Sequence, residues 1–199
     1  MYKTRGDQNG TYPRLEDLIN LFGGFVAGGC FKDYAEGGCF KDYAEGNKPK
    51  DVDLFFTDED SFYKAKEAAK KMGCKQEYVN ENATRFIVHG QAVEFIKTLF
   101  GDPESVIRKF DFTVCKFALY KDAGEFKAVY RPNFHIHQQN KVLHIDAGIL
   151  VPISTFRRAF RYKGYGYSLD RSSELAIIDS LREIDEDDLS ETFYREEDL

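Results

Sequence analysis

The sequence predicts an α+β fold in which a mixed, mainly antiparallel sheet is flanked by helices and followed by a small helical segment. Three observations predict it. The run DVDLFF (Asp51–Phe56) reads as a short strand and is followed by a crossover helix between Asp58 and Met72. Beyond it, Lys75–Val79, Thr84–His89 and Gln91–Lys97 read as strands separated by the tight turns Asn80-Glu81-Asn82 and His89-Gly90, and Asp122–Gly124 closes a further hairpin. Only from Pro152 does helical periodicity return, in Phe156, Ala159 and Phe160.

Taken in order, the first dozen residues are polar and Gly-containing and are expected to fray. Thr11 offers an N-cap near Pro13, and Leu15, Leu18, Ile19 and Phe22 recur at helical spacing up to Gly23-Gly24. Phe25-Val26-Ala27 is an apolar strand candidate directly before Gly28-Gly29. In DVDLFF, strand geometry sends Asp51, Asp53 and Phe55 to one face and Val52, Leu54 and Phe56 to the other. Two carboxylates a few ångströms apart repel, so a divalent cation between them makes sense of the pattern. A bare DxD reads equally as a solvated pair at a strand start. The Gly-Gly turn upstream shifts the balance, because backbone N–H groups at a helix start bind phosphate.

The crossover helix has acids at its start, an apolar stripe of Phe62, Ala65, Ala69 and Met72, lysines at its end and Gly73 as a stop. In the strand Gln91–Lys97, Glu94 is a lone acid in an apolar run; it reads either as a solvent-facing edge residue or as a third carboxylate beside the DxD strand. Asp102-Pro103 opens a short helix through Lys109, and Phe110–Leu119 then reads as a strand with an acid, Asp111, near its start. In His135-Ile136-His137, alternation would put both imidazoles on one strand face, without a third ligand at metal spacing; Gln138-Gln139-Asn140 reads as a loop and Lys141–Asp146 as a strand. After Ser172 an amphipathic helix carries Leu175, Ile178 and Leu181, and the tail from Glu183 is acidic.

The stretch from the glycines to the DxD carries a resemblance. Gly37-Gly38, Lys41-Asp42, Gly46, Lys50, Asp51 and Asp53 resemble, in register, the signature of the nucleotidyltransferase superfamily, closest to the head domain of its poly(A) polymerase and CCA-adding branch. The palm of that superfamily is the fold class the resemblance implies. Asp111, Phe112 and Thr113 resemble the family's RRDFTINAL element, with Lys109 and Phe110 in place of its two arginines and Cys115 in place of its asparagine. Arg158, Ala159, Arg161, Tyr162, Gly164 and Tyr165 resemble the neck helix, so residues 1–150 would form the catalytic head and 151–199 the neck and acidic tail. The similarity covers roughly Phe25 to Tyr167 and lacks a recognisable EDxxR base-selecting motif.

One feature departs from the family. GGCFKDYAE occurs twice in succession, as Gly28–Glu36 and Gly37–Glu45. Copy one keeps the apolar strand before its glycines and is favoured; copy two keeps the family distance to Asp51. Nine residues at about 100° each turn the helical pattern by about half a turn, so a break at Gly37-Gly38 or a looped-out copy is expected.

The resemblance implies template-independent transfer of a nucleoside monophosphate from an NTP to a hydroxyl, with an RNA 3′ end as the leading acceptor. Asp51, Asp53 and Glu94 would hold two Mg²⁺ ions. Gly28, Gly29 and Lys32, or their copies Gly37, Gly38 and Lys41, together with Arg108, Lys109, Asp111, Arg158 and Arg161, would bind the nucleotide. Two alternatives stay open: a nucleotide-binding or regulatory module with impaired catalysis, and a toxin-type transferase acting on protein or tRNA.

Composition bounds these readings. The 199 residues, 42% hydrophobic and 15% aromatic, support one core, and a net charge of −6 argues against indiscriminate nucleic-acid binding. No apolar run reaches membrane-span length and no signal-peptide core opens the chain, so a cytoplasmic protein without membrane contact is expected. The four cysteines lack CxxC spacing and read as reduced thiols. Because the two copies are chemically equal, either a monomer or a swapped dimer fits.

Overall fold

A computed structural model describes residues 13–32 and 50–184. The second GGCFKDYAE copy with its expected break, the N-terminal dozen and the acidic tail lie outside those residues.

Helix α1 (Leu15–Phe22) leads into strand β1 (Phe25–Ala27), a 3₁₀ turn over Gly29–Lys32, and strand β2 (Val52–Phe56). Helix α2 (Glu59–Lys71) follows, then strands β3 (Lys75–Val79), β4 (Ala83–Val88) and β5 (Gln91–Phe100). Helix α3 (Pro103–Arg108), a 3₁₀ turn over Thr113–Cys115, and strands β6 (Phe117–Asp122) and β7 (Glu125–Tyr130) come next. Helix α4 (Phe134–Gln139), strand β8 (Val142–Leu143), helix α5 (Pro152–Gly164), strand β9 (Ser168–Leu169) and helix α6 (Arg171–Arg182) complete the order.

The main sheet has seven strands in the order β3-β4-β5-β2-β1-β6-β7. Its β2–β5 pair is parallel and the other pairs are antiparallel. The parallel pair follows from α2, which carries the chain across the sheet, whereas the hairpin turns force antiparallel neighbours. The fold is therefore the mixed, mainly antiparallel α+β architecture expected.

Strand alternation divides the core as the sequence requires. Val26, Leu54, Phe56, Val93 and Phe95 join Leu18 and Phe22 of α1 and Phe62 and Ala65 of α2 in one apolar cluster. Phe25, Ala27 and Phe55 look the other way and pack with Val106 and Ile107 of α3. A third cluster ties Phe112, Val114 and Leu143 to Ala159 and Tyr162 of α5 and Ile177 of α6. The helical segment is thereby seated against the turn at Phe112.

Capping explains several helix starts. Asp58 accepts the Ser61 N–H at 2.7 Å to open α2, Asp102 accepts that of Ser105 at 3.0 Å to open α3, and Asp170 accepts that of Ser173 at 2.8 Å to open α6. The expected Thr11 cap is not the one used. Arg14 is the N-cap of α1, and its backbone N–H donates to Asp17 Oδ2 at 3.2 Å.

Three further expectations are corrected. His135-Ile136-His137 and Gln138-Gln139 lie in α4, neither strand nor loop, because Phe134 and Gln138, four residues apart, both need burial and a helical turn provides it. Gln138 then donates its amide to Val114 O at 2.9 Å and accepts the Tyr167 hydroxyl. The run Phe110–Leu119 is not one strand. Phe112 makes a lone bridge to Ile145, the 3₁₀ turn follows, and Thr113 donates its N–H to His144 O at 2.9 Å, so pairing with β1 begins only at β6. The strand expected over Lys141–Asp146 shortens to β8, whose parallel partner β9 the sequence did not suggest.

Candidate active site

Register puts four polar side chains in a row across the sheet. Tyr78 of β3 pairs with Arg85 of β4, Arg85 with Glu94 of β5, and Glu94 with Asp53 of β2. Directly paired residues share a face, so this row lies on the side of Phe55, opposite α1 and α2. Glu94 Oε1 accepts the Tyr78 hydroxyl at 2.6 Å, Arg85 Nε at 2.9 Å and Arg85 Nη2 at 2.5 Å. The same Nη2 donates to Asp51 Oδ2 at 3.1 Å. The Arg85 guanidinium also lies 5.0 Å from the Tyr78 ring centroid.

Beside the row opens a cleft of about 330 Å³ lined by Gly28, Gly29, Cys30, Lys50, Asp51, Asp53, Phe55, Phe110, Asp111, Phe112, Cys115, Arg158, Arg161, Tyr162 and Tyr165. Gly28 has φ +96°, and a Cβ there would stand 3.6 Å from Asp53 Oδ2 and 3.6 Å from the Phe110 ring. The glycine thus combines a backbone conformation that L side chains avoid with close approach to the carboxylate. Its N–H donates to Phe117 O at 3.2 Å. Of the two glycines, Gly29 opens the 3₁₀ turn, and a Cβ on it would meet the Tyr162 hydroxyl at 3.1 Å. Within the cleft lining Arg158 Nη2 pairs with Asp111 Oδ2 at 2.7 Å, while Arg158 Nε is buried without a hydrogen-bond partner among the described residues. Cys115 Sγ and the Tyr162 hydroxyl are 3.0 Å apart.

The electrostatics single out Asp53. Burial, followed by the charges of Glu94 and Asp51, pushes its carboxyl up to about 8, against the opposing pull of Arg85. Tyr78 is also raised above the ordinary phenol value, by burial and by its bond to Glu94.

The sequence-derived candidates separate into three groups. Gly28, Gly29, Asp51, Asp53, Asp111, Arg158 and Arg161 line one cleft, and Glu94 adjoins Asp53 in the row behind it. Arg108 instead pairs with Glu104 on an exposed face of α3, and neither it nor Lys109 lines the cleft. Lys32 ends the 3₁₀ turn, and Gly37, Gly38 and Lys41 lie outside the described residues. Sequence reasoning missed Arg85, Tyr78 and Tyr162. A basic residue inside the apolar strand TRFIV was the available signal for Arg85; the other two needed the register and the docking of α5.

Hard oxygen donors on Asp51 and Asp53 suit Mg²⁺; the Asp53 carboxyl is raised first by burial and then by the charges of Glu94 and Asp51, the part that a cation would offset. Glu94 is committed to Arg85 and Tyr78, and among the described residues no three His, Cys, Asp or Glu side chains are grouped to hold a metal ion. Asp51 and Asp53 are the oxygen donors that such an ion would take, with Glu94 beside them but engaged.

This sheet, with Asp53 on β2 and Asp51 just before it beside a glycine turn, is a nucleotidyltransferase-like fold. The chain is similar to a tRNA nucleotidyltransferase complexed with a primer tRNA and an incoming ATP analog (19% identity over 79% of this chain and 46% of that one, TM-score 0.55). It is also similar to the Thermotoga maritima CCA-adding enzyme complexed with tRNA_CCA (15% identity, 80% and 38%, TM-score 0.55) and to a CCA-adding enzyme in complex with ATP (14% identity, 80% and 38%, TM-score 0.54). The chain spans less than half the length of these structures. It belongs to the Gabija anti-defense 2 family (Gad2), whose family model matches residues 9–141. No curated protein matches the sequence significantly. Among the described residues no helix is long and apolar enough to cross a membrane.

Proposed function

We propose that the protein is a metal-dependent, template-independent nucleotidyltransferase that moves a nucleoside monophosphate from an NTP to an acceptor hydroxyl and releases pyrophosphate. The observation that carries this reading is that Asp51 and Asp53 line one cleft together with Arg158 and Arg161. Phosphoryl transfer needs alignment and charge neutralisation more than a side-chain nucleophile, and the cleft has acids for cations and guanidiniums for phosphates.

Residues 1–150 act as the catalytic head and 151–199 as the neck and tail. Asp51 and Asp53 would hold the Mg²⁺ ions, with Glu94 available as a third carboxylate once its contact with Arg85 loosens. When bound, Mg²⁺ supplies charge compensation for the triphosphate and lowers the pKa of the attacking hydroxyl. Arg158, Arg161 and Lys50 grip the triphosphate from the walls. Because the Gly28 N–H is engaged by Phe117, backbone donation to phosphate starts at Gly29. Asp111, held by Arg158, orients the sugar. The acceptor is an RNA 3′ end, a reading supported by the primer tRNA in a similar structure and consistent with a cytoplasmic site of action.

The family assignment favours a second reading of the acceptor. An anti-defense family fits a transferase whose target hydroxyl belongs to a Gabija component, so that nucleotide attachment disables it.

Incubation with each labelled NTP, Mg²⁺ and either mixed RNA or purified Gabija components tests both. Label transferred to RNA supports the first acceptor and label on a Gabija protein the second, and Asp53→Ala abolishes either. Nucleotide binding without transfer to any acceptor overturns the enzyme reading in favour of a binding module.

A further inference from the structure

We infer that Arg85 is a built-in counter-cation of the carboxylate row, which competes with a metal ion for Asp51 and Glu94 and so sets the cation affinity of the site. The inference rests on the metal-dependent reading of the site and adds an element that regulates cation entry.

Its basis is the geometry of β4. Arg85 stands in register with Glu94, and its Nη2 spans the gap between Asp51 Oδ2 at 3.1 Å and Glu94 Oε1 at 2.5 Å. Nε adds a second bond to Glu94 at 2.9 Å. A single Glu94 oxygen thus takes both guanidinium donors and the Tyr78 hydroxyl, leaving no lone pair on that atom for a metal. Asp53, one strand further on, has no ion pair among the described residues. The guanidinium therefore compensates the outer two acids and leaves the third exposed to their repulsion.

The arrangement is built to be released. The Arg85 side chain is 21% exposed, so it can rotate toward solvent without crossing the core. The Tyr78 face, already 5.0 Å away, offers it a second resting place. A divalent ion placed among the acids would repel the guanidinium at short range, so occupancy by one weakens occupancy by the other. Arg85 accordingly acts as a positioning residue that sets cation affinity.

Mn²⁺ titration without nucleotide, followed by electron paramagnetic resonance, tests the inference on wild type, Arg85→Met, Arg85→Lys and Asp53→Asn. Removing one positive charge from the ligand row should tighten Mn²⁺ binding by about tenfold or more in Arg85→Met. Arg85→Lys, which keeps the charge but loses the two-pronged grip, should fall between that variant and wild type. Metal-free Arg85→Met should melt lower than wild type and gain more from saturating Mn²⁺. Should Arg85→Met prove poorly folded, the Arg85→Lys affinity decides. Unchanged or weaker Mn²⁺ binding in the Arg85 variants overturns the inference. Nucleotide transfer by wild type, assayed in parallel, keeps the two readings apart: Asp53-dependent transfer with unaltered Arg85-variant affinity removes the counter-cation alone. Absence of Asp53-dependent Mn²⁺ binding in every protein removes both.

Discussion

Asp53 and Glu94 stand directly opposite each other on the parallel strands β2 and β5, separated in sequence by a helix and two further strands. Parallel register makes their side chains share a face, and the crossover through α2 is what makes the pair parallel. The repulsion between them is a consequence of topology, and four measurements follow from it and from its neighbours.

The raised Asp53 carboxyl gives stability a specific pH dependence. In the unfolded chain this group titrates near 3.8 and in the fold at about 8, so between those values the folded state binds the extra proton. Its contribution is present in full below the lower value and is lost as pH rises toward 8. Asp53→Asn should therefore flatten the dependence and be more stable than wild type at pH 8 by roughly 2–5 kcal/mol, as urea denaturation in EDTA at pH 5 and pH 8 would show.

Lys116 is 1% exposed and pairs with Asp146, which also accepts Arg131 Nε at 2.8 Å. Burial works to raise Asp146, but the bonds from Lys116 and Arg131 prevail and hold it below the ordinary carboxylate range. Its stabilisation is present above that range and lost as pH falls through the lowered value. Lys116→Met, which strips Asp146 of one of two cations, should cost about 2–4 kcal/mol and move the acid-unfolding midpoint upward in circular dichroism.

Arg158 couples α5 to the candidate cleft through Asp111, which is 8% exposed. Arg158→Ala leaves that carboxylate uncompensated and should cost about 1–2 kcal/mol, discounted because the arginine is partly solvated. Affinity for a fluorescent NTP analogue should fall at the same time. Asp111→Asn combined with Arg158→Met should cost less than the two single changes added together.

Gly28 has a left-handed backbone and faces both Asp53 and Phe110. Gly28→Ala should destabilise by about 1–2 kcal/mol and depress nucleotide transfer by more than that loss predicts, since the added methyl reaches the carboxylate. Thermal unfolding and initial rates at saturating NTP separate the two effects.

Much of the site was legible because local pattern carried it. The alternation in DVDLFF put Asp53 and Phe55 together, and the apolar triplet before Gly28-Gly29 placed the first GGCFKDYAE copy at the end of β1. Residues that depend on distant packing were not legible. Arg108 sits one position from the RRD-like element, yet helical geometry turns it toward Glu104 and away from the cleft. The histidines of α4 alternate as a strand would, but burial of Phe134 and Gln138 at helical spacing overrode the alternation.

By itself the sequence determined the helices and strands from α1 through β5 and the face on which the paired aspartates look, which follow from periodicity, capping and turn chemistry within a few residues, and its motifs carried the nucleotidyltransferase resemblance. Only the tertiary structure decided that Arg85 and Tyr78 share the row of Glu94 and Asp53, and that Arg158 closes on Asp111. Asp53 and Glu94, like Asp111 and Arg158, come from segments some forty or more residues apart, and even the nearer pair Arg85 and Glu94 meets only through strand register; register and helix docking are not encoded in short-range preferences.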